Sequence, residues 1–232
     1  MNNNHINPNA SLRVAAANNA ATQLLQSFFN HSGSSSRSTN GLVSGTHALI
    51  NTPVYLVSQG GKLVTVQLSY YLGSNGLSYS NRTLKTLINA LTQVYGSTLG
   101  HPVTVQLELV RQHQPYMDAS ILAQYLAINL SKQGFSRITN LLLNAVPYLN
   151  PVALGSNAFD FTTSAGLSIT GIKVQLSGLL TSQRNRSRKT TYTATAGTFN
   201  RTSTVGTSLI TLTTDYASHT SKSGLGAFTV KV

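Results

Sequence analysis

The chain has 232 residues, 41% of them hydrophobic, and carries 16 Lys or Arg against 4 Asp or Glu, a formal net charge of +12. That length suits one large or two small domains with a real core, and so few carboxylates exclude stabilisation by salt-bridge networks. Unpaired cations repel one another in a compact state unless a polyanion neutralises them, so nucleic acid or an anionic membrane surface is the expected partner.

Cysteine is absent, which removes disulfides, thiolate metal sites and a cysteine nucleophile. Membrane insertion is not expected, because no run of about 18 apolar residues occurs. The longest apolar stretch, "LLLNAVPYLNPVALG", is broken by Asn144, Pro147, Asn150 and Pro151. The first ten residues, "MNNNHINPNA", lack the apolar segment of a signal peptide.

Residues 1–13 are Asn-rich and aperiodic, and a disordered tail is expected there. Alanine and leucine propensity predicts a helix over 14–29, followed by a low-complexity loop, "NHSGSSSRSTNG", at 30–41. Strands are predicted at 52–58 and 62–71, joined by Gln59-Gly60-Gly61, whose glycines supply the positive φ of a hairpin turn. Val64, Val66 and Leu68 alternate with Thr65 and Gln67, so one face of the second strand is buried. Asn81 is the expected cap of a helix bearing Leu84, Leu87, Ile88, Leu91 and Val94 and ending at Gly96. A strand at 103–109 completes a helix–β–β–helix–β domain over 14–110.

The second domain, 111–232, opens with Asp118 as a helix N-cap before Ile121, Leu122, Tyr125 and Leu126. Gly134 interrupts, and a second helix runs to about Val146. Residues 147–168 read as irregular. Strands are predicted at 171–177, near 190–197, at 207–216 and at 226–232. Two helices on a four-stranded sheet make this an α+β fold.

No enzyme signature survives. Leu56 stands where a P-loop before Gly61-Lys62 needs glycine, and there is no G-x-S-x-G. Asp215, Ser218 and His219 are neighbours in sequence, which does not aim a base at a nucleophile. The six histidines show no metal-ligand spacing, so no metal or cofactor is expected. Gly73 and Gly76 have the G-x-x-G spacing with which KH domains clamp a nucleic-acid backbone, but only Ser74 and Asn75 lie between them and "LSYS" separates them from the helix.

The strongest signal is "GIKVQLSGLLTSQRNRSRK" at 171–189. An alternating strand leads into Arg184, Arg186, Arg188 and Lys189, a quarter of all cations, with no carboxylate among residues 178–190. Guanidinium forks suit phosphate. With Lys173 in the strand and Arg201 beyond, these residues form the expected RNA-contacting set.

"GIKVQLSGLL" also resembles the strand motif of the small-subunit ribosomal protein three family (the universal uS-three family) through Gly171, Ile172, Lys173, Val174, Ser177, Gly178 and Leu180. "LVRQHQPYMDASILAQYLAINL" is similar to a second family segment through Val110, Arg111, Asp118, Ala119, Ala123 and Leu130. "SLITLTTDYASHTSKSGLGAFTVKV" is similar to a third through Leu212, Asp215, Tyr216, His219, Thr220, Gly224, Gly226, Lys231 and Val232. Three segments in order cover 103–232.

The resemblance implies an N-terminal KH domain of the second type and a non-enzymatic constituent of the small subunit. Such a protein binds small-subunit rRNA and neighbouring small-subunit proteins in the head, near the channel by which mRNA enters. It places Lys132 and Arg137 at that mRNA channel, with Gln133 and Ser136 where bacterial relatives are basic. The Asn bias and the absence of a basic tail point to a mitochondrially encoded, fungal-type member, and so to the mitochondrial ribosome. A KH-type organellar RNA-binding protein outside the ribosome is the alternative; a Ser/Thr-rich adhesin or coat protein would explain the strands but not the charge.

Overall fold

A computed structural model describes residues 8–31, 48–58, 61–72, 79–130, 133–147, 169–180, 190–197 and 214–232. The chain divides into two compact units, Met1–His113 and Gln114–Val232.

The first unit opens with α1 (Pro8–His31). The segment expected to be a disordered tail is therefore helical from Pro8 onward. Proline is tolerated in a first helical turn, where its missing N–H has no intrahelical acceptor to lose. The alanines from Ala15 onward then favour propagation. Ala17, Ala21, Leu25 and Phe29, spaced by four, form the buried stripe.

Two short strands, β1 (Leu49–Ile50) and β2 (Val54–Ser58), pair antiparallel with β3 (Leu63–Tyr71) along one of its edges. Pro53 cannot donate to the ladder, and Asn51 bridges the break. Its backbone N–H donates to the Ser69 carbonyl at 3.0 Å, and its Oδ1 accepts from the Ser69 N–H at 2.9 Å. Gly61, at φ +92°, supplies the expected left-handed residue before β3.

After β3 comes α2 (Asn81–Leu99), and β4 (Thr104–Gln112) pairs parallel to β3 along its whole length. A parallel return needs a crossover helix, and α2 provides it. The helix differs at both ends from the sequence expectation. Ser80, not Asn81, is the N-cap, accepting from the Thr83 N–H. The helix also passes through Gly96 and stops at Gly100, φ +77°, whose N–H donates to the Gly96 carbonyl at 3.0 Å. A helix ends where a left-handed residue closes its last carbonyls, and Gly100 is that residue.

Leu87, Leu91 and Tyr95 of α2 complete a core with α1, Val64, Val66 and Leu68 of β3, and Val103 and Val105. Tyr95 is fully buried, and its hydroxyl donates to Asn18 Oδ1 at 2.8 Å, joining α2 to α1. Burial, reinforced by the nearby Tyr55, raises the Tyr95 pKa and keeps it a donor. Phe29, Tyr70 and Tyr79 form an aromatic cluster, with Phe29 and Tyr79 edge to face at 5.3 Å. Tyr79 and Ser80 thus explain the "LSYS" spacer before the helix: one packs and the other caps.

The second unit contains α3 (Ala119–Leu130) and α4 (Phe135–Ala145), preceded by a single turn of 3₁₀ helix at Pro115–Met117. Its antiparallel sheet has the order β6-β5-β8-β7, with β5 Gly171–Ser177, β6 Thr191–Gly197, β7 Ser218–Ser223 and β8 Gly226–Lys231. The core joins Leu122, Leu126 and Leu130 of α3, Phe135, Ile138 and Leu143 of α4, Ile172, Val174 and Leu176 of β5, and Phe228 and Val230 of β8. Thr139, buried in this core, donates to the Phe135 carbonyl at 2.9 Å.

The strand expected at 207–216 is tested only at its end. Residues 207–213 lie outside the described residues, residues 214–217 are not strand, and the strand runs over 218–223. The tight turn between Ser223 and Gly226 sets the β7–β8 register, and Asp215 is drawn to another task at α3.

Candidate nucleic-acid interface

Strand β5 carries Ile172, Val174 and Leu176 into the core and Lys173, Gln175 and Ser177 to the opposite face. That alternation is the period-2 pattern read from the sequence. Lys173 is exposed and pairs across the ladder with Thr195. Arg184, Arg186, Arg188, Lys189 and Arg201 lie outside the described residues, as do Lys132 and the Gly73–Gly76 loop.

The chain entering and leaving the arginine-rich segment is well defined. Ser177 pairs with Thr191, and the Gly178 N–H donates to the Thr190 carbonyl at 2.8 Å. Leu180 is buried in the core, 1% exposed, so the segment starts from a fixed point. Gly178 has φ +118°, and a Cβ there would lie 2.8 Å from both the Ala227 carbonyl oxygen and Phe228 Cα. The strand end thus lies flat against β8, and Ser223 Oγ donates to the Leu179 carbonyl at 3.3 Å. This closed base is what the sequence did not disclose. Its only trace was the glycine itself.

Arg137 is exposed on α4, within the helix layer. Lys173 faces away from that layer, so these two expected contact residues stand on opposite sides of the second unit and do not converge.

The carboxylates have neutral partners. Asp118 Oδ1 accepts from the Ser120 and Ile121 N–H groups at 2.9 and 3.1 Å, the predicted N-cap of α3. Asp215 Oδ2 accepts from the Ala119 N–H at 3.0 Å, across 96 residues of sequence. Both carboxylates therefore complement the positive N-terminus of α3, and Asp215 is a structural group rather than the orienter of a catalytic base. Glu108 accepts from the Gln67 side-chain amide at 2.8 Å. Half-burial lowers the His219 pKa. Among the described residues no group of three His, Asp or Glu could hold a metal ion, and no helix is long and apolar enough to cross a membrane.

A basic α+β protein with a cation-rich segment joined to a closed strand pair has the charge of a nucleic-acid-binding protein, and comparison with known proteins is more specific. A family profile described as mitochondrial ribosomal protein (VAR1) matches residues 48–232. A curated relative, "Small ribosomal subunit protein uS3m" of Mycosarcoma maydis, is 30% identical over 177 residues, 73% of this chain and 62% of the relative. The chain belongs to the VAR1 family of mitochondrial ribosomal proteins.

Proposed function

We propose that this protein is a structural constituent of the small subunit of the mitochondrial ribosome, held there by small-subunit rRNA. The carrying observation is the placement of Arg184, Arg186, Arg188 and Lys189 between two fixed points, Leu180 and Thr190, in a chain of net charge +12. A closed base limits the conformations that the segment must lose on binding, and lost freedom is a main cost of association. The name of the curated relative supports the small subunit, and the strand and helix order of the first unit supports a KH-like reading over 14–110. Neighbouring small-subunit proteins and, through Lys132 and Arg137, mRNA in its channel complete the partners of this reading. The role is architectural, with Arg201 and Lys173 as further rRNA contacts.

Two measurements test it. The protein should sediment with the mitochondrial small subunit and stay with it through moderate salt. Replacing Arg184, Arg186 and Arg188 by Ala should weaken binding to transcribed small-subunit rRNA and reduce the log–log salt slope by about 2–3, at about 0.7–0.9 per lost phosphate contact. Gly73→Asp with Gly76→Asp should change affinity little, because the loop lacks cations. If the glycine pair loses more than the arginine triple, the RNA surface lies in the first unit instead.

A further inference from the structure

The sheet of the second unit has one face in the core and one face open. By register, the open face presents Thr191, Thr193 and Thr195 of β6, Lys173, Gln175 and Ser177 of β5, Thr229 and Lys231 of β8, and Ser218, Thr220 and Lys222 of β7. Among the described residues its only charged side chains are three lysines, all exposed. The ordinary reading of such a face is solvation, since antiparallel sheets commonly wet one side. A solvated face usually mixes both signs of charge, however, and the described residues of this one, Ala227 apart, are cations and neutral hydroxyls or amides.

The open face of the other sheet is an internal comparison. There Val54, Leu56 and Val110 are exposed, and the charged side chain is Glu108. The cations are therefore not spread evenly over the open strands of this chain. Protein interfaces are centred on aromatic, Met or Arg anchors and are depleted in Lys. Among the described residues the four strands carry no large apolar side chain on that face, and the exposed Tyr216 and Leu225 lie outside the strands, before β7 and in the β7–β8 turn.

The register also places the lysines at successive levels along β5. Ser177 pairs with Thr229, and Lys222 pairs with Ala227, two residues further toward the end at which β5 leaves the sheet. Lys231 lies beside Gln175 at the other end, and Lys173 lies two residues further along β5. From the level of Lys222 to that of Lys173 is six residues, about 20 Å at ~3.3 Å per residue. A duplex strand presents about one phosphate per 3.4 Å of axis, so several phosphates fit along that length.

We infer that the open face of the second sheet is a phosphate-backbone platform for RNA, on which Lys222 and Lys231 act with Lys173. Thr220 and Thr229, between the lysines, share a hydrogen bond at 2.9 Å, which leaves one hydroxyl proton of the pair, with the hydroxyls of Ser177 and Ser218, to donate to phosphate or ribose oxygens. Such contacts fix register on the RNA without reading sequence. The inference rests on the rRNA-binding reading above, and the test separates the two.

The full chain is titrated with salt against transcribed mitochondrial small-subunit rRNA, as wild type, as Lys222→Gln with Lys231→Gln, and as Lys222→Arg with Lys231→Arg. The Gln pair should reduce the log–log salt slope by about 1.4–1.8, two contacts at about 0.7–0.9 each, while the Arg pair keeps the wild-type slope. Both pairs keep a polar end on an unbranched stem, and their far-ultraviolet circular dichroism and melting midpoints check the fold. A Gln pair with wild-type slope, alongside an arginine triple whose slope falls, overturns the platform and leaves the rRNA reading standing. A wild-type protein with no salt-dependent rRNA binding overturns both. Ultraviolet cross-linking within the assembled subunit adds a direct readout, with β7 and β8 peptides expected on RNA; cross-links from them to protein alone would refute the platform.

Discussion

Gly178→Ala should be among the most damaging single-methyl additions in the second unit. The added Cβ would sit 2.8 Å from the Ala227 carbonyl oxygen, 2.8 Å from Phe228 Cα and 2.9 Å from Phe228 Cβ. None of these is the end of a flexible side chain, so relief requires β5 and β8 to separate where Phe228 seals the core. The φ of +118° adds backbone strain of about 1–3 kcal/mol for a residue with a Cβ, and the overpacking adds about 1–3 kcal/mol. The total is a large share of the ~5–15 kcal/mol that holds a typical domain folded. Gly226→Ala is the matched control. It has φ +124° but nothing within 4 Å of its Cβ, so it carries strain without the collision. Urea unfolding of both variants of the full chain should place Gly178→Ala below Gly226→Ala by about 1–3 kcal/mol, the steric part alone. Equal losses would refute the close approach of β5 to β8 and, with it, the fixed base of the arginine-rich segment.

Asp118→Ala and Asp215→Ala should each cost about 0.5–2 kcal/mol, the usual value of a lost helix cap. Because both act on the first turn of α3, a thermal-melt double-mutant cycle should show coupling rather than simple addition. His219 has a pKa lowered from its ordinary 6.5 by burial, so the neutral ring is favoured in the folded state. Its stabilising contribution is present above the unfolded value and is lost as pH falls below about 6.5 toward the folded value. The melting midpoint of His219→Gln, compared with wild type across that acid window, should fall less steeply.

Much of the fold was legible because local chemistry and tertiary structure agree. The alternation of Val64, Val66 and Leu68, the Asp118 cap, the break at Gly134 and the strand at 171–177 are local patterns, and each appears where the residues place it. The differences arise where a distant group decides. Gly96 has the credentials of a helix stop, but a helix needs one left-handed residue to finish it, and Gly100 takes that role. Asp215 sits in a stretch rich in β-formers, yet its carboxylate satisfies an α3 N–H that no local pattern connects with it. Composition alone exposed the arginine-rich segment as a binding candidate. Composition could not show that Arg137 and Lys173 face opposite ways, since that depends on which side of β5 the helices cover.

The division of labour among the charged residues carries the argument one step further. Glu108, Asp118 and Asp215 all accept from neutral N–H donors, two of them at the N-terminus of α3. These carboxylates are committed to backbone and amide partners, so they hold elements in place more than they balance cations. A protein built to be stable alone would gain by setting some of its acids beside its bases, because self-repulsion weakens a compact state. Here the acids secure the core of the second unit while exposed lysines stand on the sheet face behind it. On the proposed reading, folding and binding draw on separate residues. Neutralising the lysines should leave the caps and the core intact and, by easing repulsion, hold or raise stability in the free protein even as RNA affinity falls.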